Sequence, residues 1–187
     1  MRKGFVASRP SRWSKGVSGT NREALTSLMR RSTEQLCTTL SIGATYVGPF
    51  AIEETRWQRP LSMLPFTGVE LAGSLLLAAP FELMGETTPS GEQDHEALAD
   101  WSRELANLLA GTLKTALLRQ GVIIELGIPA SLLGSEVRIA LPAATSLGLL
   151  FVAGTNPLHI GLAAYLADDV TLRVDEGSGA PFDVLLF

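Results

Sequence analysis

Asp100-Trp101-Ser102-Arg103-Glu104-Leu105-Ala106-Asn107-Leu108-Leu109-Ala110-Gly111-Thr112-Leu113-Lys114 is the stretch on which the fold turns. Wound as an α-helix, it puts Glu104 and Asn107 three residues apart on one face. Asp100, Gly111 and Lys114 extend that row by further steps of three and four. Trp101, Leu105, Leu108, Leu109 and Leu113 gather on the other side, where a core belongs. A carboxylate beside a carboxamide can grip a cation with one group and hold a water with the other. Gly111 keeps the row low enough for another molecule's backbone to come close.

Working outward, Ser90-Gly91-Glu92-Gln93 has the spacing of a capping box, and Gly121 is a natural stop, so the spacing predicts a long helix from Ser90. Leu25, Leu28, Met29, Leu36 and Leu40 predict an earlier helix capped by Asn21. Ser41–Ile52, Val122–Ile128, Glu136–Leu141, Ser146–Ala153, Leu158–Leu166 and Val170–Val174 read as strands, and Phe182–Phe187 as an edge strand after a loop at Glu176–Pro181. A hairpin turning at Leu71-Ala72-Gly73 joins Thr67–Leu71 to Ser74–Ala79, and Pro80–Gly85 makes a short helix. The expected class is α+β: long surface helices packed on an antiparallel sheet.

The length of 187 residues suits one domain with a tail, and 46% hydrophobic residues argue against a disordered chain. Arg2, Lys3, Arg9, Arg12, Lys15 and Arg22 crowd the start with no acid before Glu23, which predicts a flexible basic arm over residues 1–20 ahead of a single domain at 21–187. That start also has the composition of an organelle transit peptide, though it lacks an apolar stripe. From Ser32 onward there are 18 acidic and 7 basic residues, too acidic a body to neutralise the phosphates of a nucleic acid. The lone Cys37 cannot form an internal disulfide, which agrees with a cytoplasmic protein, and its apolar helical setting predicts a buried thiol. Val69–Met84 is the most apolar run, but Glu70, Gly73, Pro80 and Glu82 interrupt it, so no membrane span is expected.

Glu104-Leu105-Ala106-Asn107, followed by Gly111, Lys114, Leu117 and Gly121 and then a strand ending at Pro129, resembles the chemotaxis phosphatase family CheX, related to CheC and FliY. The resemblance runs from about Val69 to Val170. It implies a pseudo-two-fold αββ repeat and dephosphorylation of a phosphorylated CheY-like receiver domain. Receivers carry an acyl phosphate on an aspartate, with magnesium and a lysine of their own, so the family needs no cofactor or metal and supplies an oriented water. By this resemblance Asn107 positions the water and Glu104 pairs with the receiver's lysine. Asp100, Arg103, Gly111 and Lys114 would line the surface that meets the partner. Arg103 departs from the family, which usually has a small residue there. The resemblance also admits a homodimer.

A second reading stays open: a CheX-like module that binds a receiver as scaffold or sensor without catalysis, motivated by Arg103 and the basic arm. Arg22-Glu23-Ala24-Leu25-Thr26 faintly echoes Arg103–Asn107, with Thr26 where the amide should be, so one site is expected. Other chemistries lack support. Glu92, Asp94, His95 and Glu96 suit the positive end of a helix dipole better than a metal, and His159 reads as a packed histidine. Neither a phosphate-binding glycine loop nor a nucleophile elbow is present.

Overall fold

The computed structural model describes residues 18–53, 55–57, 60–89, 91, 93–134, 137–139 and 145–174. The expectations for the arm before residue 18, for the loop at Glu176–Pro181 and for the edge strand at Phe182–Phe187 lie outside these residues. Three helices, α1 (Gly19–Thr39), α2 (Phe81–Thr87) and α3 (His95–Arg119), accompany β1 (Ala44–Phe50), β2 (Leu61–Gly68), β3 (Leu71–Ala78), β4 (Ile124–Leu126), β5 (Ala130–Leu132), β6 (Thr145–Ala153) and β7 (Asn156–Leu166). The strands form one antiparallel sheet in the order β1-β6-β7-β3-β2-β4, with β5 also paired to β2. The α+β class is therefore as expected.

Several local expectations need correction. The cap of α3 is Asp94, whose carboxylate accepts the amides of Glu96 and Ala97 at 3.0 Å; Ser90 and Glu92 are outside the described residues. The cap of α1 is Ser18, not Asn21. Asn21 is instead buried as a two-way clamp: its Nδ2–H donates to the Val170 carbonyl at 2.8 Å, and its Oδ1 accepts the Leu172 amide at 2.7 Å. Val170–Val174 therefore spends backbone groups on α1 and is not a strand. The β2–β3 turn falls at Val69-Glu70, and Gly73 sits inside β3, where a Cβ would strike the Ala163 carbonyl oxygen of the neighbouring strand. Of Glu136–Leu141 the structure describes residues 137–139, where Val137 forms a bridge to Trp57; the rest of that expected strand lies outside the described residues.

Two strands were not expected: β5 as a whole, and β2 apart from its end at Thr67–Gly68; in the middle of β2, Pro65 has the residue type of a breaker. Its missing N–H costs nothing here. On that side β4 pairs only with Phe66–Gly68 and β5 only with Leu61–Met63, so Pro65 faces the gap between them. Its carbonyl still accepts the Gly127 amide at 2.8 Å.

The sheet order is a palindrome, and the ladders show why. Eighty residues on from Ala44 stands Ile124; the first pairs with Ala153, the second with Gly68, which lies 85 residues before Ala153. Past the bulge in β1, Phe50 pairs with Gly148; the same shifts give Ala130 paired with Met63. β4 and β5 together are thus the counterpart of β1, with its one-residue bulge widened into a break. The central ladder maps onto itself, and its Leu76–Gly161 pair lies on the two-fold axis. Both long helices close alike: the Ile42 amide donates to Cys37 and the Val122 amide to Leu117, with Ser41 and Gly121 at positive φ. The repeat is therefore α-β-β-β rather than the αββ expected, and the caps equate Glu104 with Ala24 and Asn107 with Ser27. The Glu23–Thr26 echo is one residue out of register.

α1 and α3 cover one face of the sheet, over a core that includes Leu25, Leu75, Leu109, Leu113, Phe151 and Ile160. Cys37 belongs to this core, and burial pushes its thiol up to about 11. A smaller cluster of Ile52, Trp57, Leu61, Leu76 and Ala78 lies on the opposite face. There His159 meets the ring of Phe50 edge-on, 5.1 Å between centroids, and burial lowers its pKa below the ordinary imidazole value. The unfolded imidazole takes up its proton near pH 6.5, while the folded one resists. Stability contributed by keeping it neutral is thus present above about pH 6.5 and lost as pH falls below it. Urea unfolding is expected to show a falling midpoint in that window, and the fall is smaller in His159→Gln.

Candidate functional site

Helix α3 exists because its apolar residues recur with helical period and its N terminus is capped. Its 25 residues span about 37 Å at 1.5 Å each. Leu98, Ala99, Ser102, Leu105, Ala106, Leu109 and Leu113 face the sheet and are buried. Trp101 and Leu108 pack at the margin of the core, half-buried. The Trp101 indole N–H donates to the Thr87 hydroxyl at 2.9 Å and ties α2 to α3.

The opposite face carries the row read from the sequence. Asp100, Glu104, Asn107 and Lys114 are exposed, and Arg103 and Gly111 are half-exposed. Glu104 and Asn107 are i,i+3 neighbours, so their Cβ atoms stand about 5–6 Å apart. Among the described residues, neither they nor Lys114 make a hydrogen bond or ion pair, which leaves their polar atoms to solvent or a partner. The one pairing in the row is between the Arg103 guanidinium and the Asp100 carboxylate. It holds the arginine one turn toward the helix N terminus, on the side away from Asn107.

Nothing inside the chain asks for glycine at 111: a Cβ there would meet no atom within 4 Å. Gly111→Ala is therefore expected to stabilise the fold by roughly 0.5–1 kcal/mol through helix propensity, read as a higher unfolding midpoint. The glycine is retained at a cost to the helix, on the face that bears the pair.

The equivalent face of α1 differs. Ala24, in the place of Glu104, is fully buried, and Ser27 stands for Asn107. Nearby, Arg30 pairs with Glu34 at 2.8 Å and lies over the Tyr46 ring at 4.6 Å. No carboxylate–carboxamide pair forms there.

A cleft of about 480 Å³ opens elsewhere, between Ser41, Gly43, Leu83, Glu86, Gly154 and Asn156; none of the row lines it. Among the described residues, no three His, Cys, Asp or Glu side chains gather as a metal site, and no helix is long and apolar enough to cross a membrane.

Sequence reasoning missed what lies beneath the row. Ser62 and Ser102 are fully buried, and their hydroxyls lie 2.8 Å apart; Ser62 also meets Ser131 at 2.8 Å, and the Ser131 hydroxyl donates to the Ala99 carbonyl at 3.1 Å. The sole sequence signal was a serine at 102 inside an otherwise apolar helix face.

No family model and no curated protein matches the chain. Solved structures do. A chemotactic CheC-like protein from Shewanella oneidensis superposes with a TM-score of 0.64 at 16% identity, over 77% of this chain and 99% of its own. The chemotaxis protein CheX from Desulfovibrio desulfuricans gives 0.63 at 15% identity, over 76% and 99%. CheX from Borrelia burgdorferi, solved with CheY, beryllium fluoride and magnesium, gives 0.59 at 16% identity, over 74% and 95%. The chain has the fold of CheX and CheC-like chemotaxis proteins.

Proposed function

We propose that this chain removes the phosphoryl group from an aspartyl-phosphorylated, CheY-like receiver domain, with Asn107 as the catalytic residue. The observation that carries the reading is the Glu104–Asn107 pair, exposed and unengaged by described residues on the long helix of a CheX-like fold. The Borrelia burgdorferi relative, seen with CheY, supports a receiver as the partner.

An acyl phosphate is already activated by the receiver's own magnesium and lysine, and its hydrolysis lacks only an aligned water. The Asn107 carboxamide accepts from that water through its oxygen and donates through its nitrogen, which sets the water in line with the bond that breaks. The water oxygen bonds to phosphorus as the bond between phosphorus and the aspartyl oxygen cleaves. The electron pair leaves with the aspartate carboxylate, and the water's protons go to inorganic phosphate and solvent. No nucleophile or strong base is required of this chain. Glu104, one turn away, fixes the docked geometry by pairing with the receiver's lysine.

Arg103, held by Asp100, stands clear of Asn107, so the departure at this position leaves the water's place open. Asp100, Arg103, Gly111 and Lys114 border the contact, and Gly111→Ala weakens docking while strengthening the fold. The test follows loss of phosphate from purified receiver domains, CheY-like ones first, with and without the protein. Acceleration supports the reading. A folded preparation that binds a receiver without acceleration would make the chain a binding module.

A further inference from the structure

We propose that Ser102, Ser62 and Ser131 are positioning residues that set the rotation of α3 and thereby aim Asn107; this rests on the phosphatase reading above. Each hydroxyl has one proton. Ser131 gives its proton to the Ala99 carbonyl, so it accepts from Ser62, and Ser62 in turn accepts from Ser102. The chain runs in one direction, leaving α3 at Ser102, crossing β2 and β5, and returning to α3 one turn earlier. Every proton is used, and the geometry of each link is fixed.

Aliphatic contacts let a helix roll at small cost, because dispersion has little directionality. A hydrogen-bonded loop with both ends on one helix does not. Ser102 lies about 200° round the helix from Glu104 and about 140° from Asn107, so pinning the buried side fixes the direction of the exposed one.

Two observations tie the loop to the site rather than to folding in general. First, it is confined to the half that bears the pair. The two-fold equivalents of Ser102, Ser62 and Ser131 are Arg22, Leu147 and Ala51, and no such loop forms under α1 among the described residues. Second, its third member is on β5, the short strand separated from β4 opposite Pro65.

The experiment uses the full chain as wild type, Ser102→Ala and Ser131→Ala. It measures turnover over a range of phosphorylated receiver and hydrogen exchange of the α1 and α3 amides. Misaiming is expected to lower kcat about tenfold in each variant, with KM within about twofold of wild type, and to speed exchange at 103–110 but not in α1. A folded variant with unchanged kcat overturns the proposal, as does faster exchange spread evenly over both helices. If Ser102→Ala does not fold, Ser131→Ala, altered only at a half-buried edge residue, carries the test. If wild type itself fails to accelerate hydrolysis, the phosphatase reading falls. The exchange pattern then decides alone: selective loosening of α3 upholds the pinning, and no selectivity removes it.

Discussion

Asn107→Ala is expected to bind a phosphorylated receiver as wild type does and to lose about two orders of magnitude of the accelerated hydrolysis. The side chain is exposed on α3 and makes no hydrogen bond to described residues, so its removal leaves the fold intact and the unfolding free energy within about 0.5 kcal/mol of wild type. What disappears is the group that holds water in line. Asn107→Gln keeps the amide but moves it outward by a methylene, and it regains little. Glu104→Ala separates the two roles, raising KM as well as lowering turnover. Single-turnover decay of the phosphorylated receiver at several protein concentrations measures both quantities. An Asn107→Ala protein as fast as wild type would sink the mechanism.

Phe151→Ala is expected to cost about 3–5 kcal/mol of folding stability. Phe151 is fully buried on β6, facing the helices, with its ring 5.4 Å from that of Tyr46 on β1. It pairs with Tyr46 on one side and Leu158 on the other, so the lost volume opens between three strands that cannot close over it. Natural domains have about 5–15 kcal/mol in all, and the variant loses roughly a fifth of that or more. Urea unfolding gives the value, and a change below about 1 kcal/mol would show that the core relaxes into the space.

The contrast between these substitutions mirrors what was legible in the sequence. Exposure and period are local properties, so α3 declared itself: Leu105, Leu109 and Leu113 are buried where the spacing placed them, and Glu104 and Asn107 face outward. β6 and β7 were legible because their residues alternate between two faces. The failures share one cause, which is that the deciding partner is distant in the chain. Pro65 has the residue type of a strand breaker, and nothing near it in the chain shows that its bare edge faces a gap. Gly73 looked like a turn because the Ala163 carbonyl that demands it arrives ninety residues later. Asn21 looked like a cap because Val170 and Leu172 claim its amide from across the fold. The serine loop was hidden for the same reason.

The palindromic sheet bears on how the chain reaches this state. Each half gives its outermost strand away: β1 pairs with β6, and β4 and β5 pair with β2. Neither half holds a finished sheet of its own, so the first to leave a ribosome waits for strands not yet made. The structure is dominated by partners far apart in sequence, the class that folds in milliseconds to seconds rather than microseconds. Fragments divided between α2 and α3 should each remain unstructured when alone and assemble when mixed, two halves of one pattern completing each other by exchange.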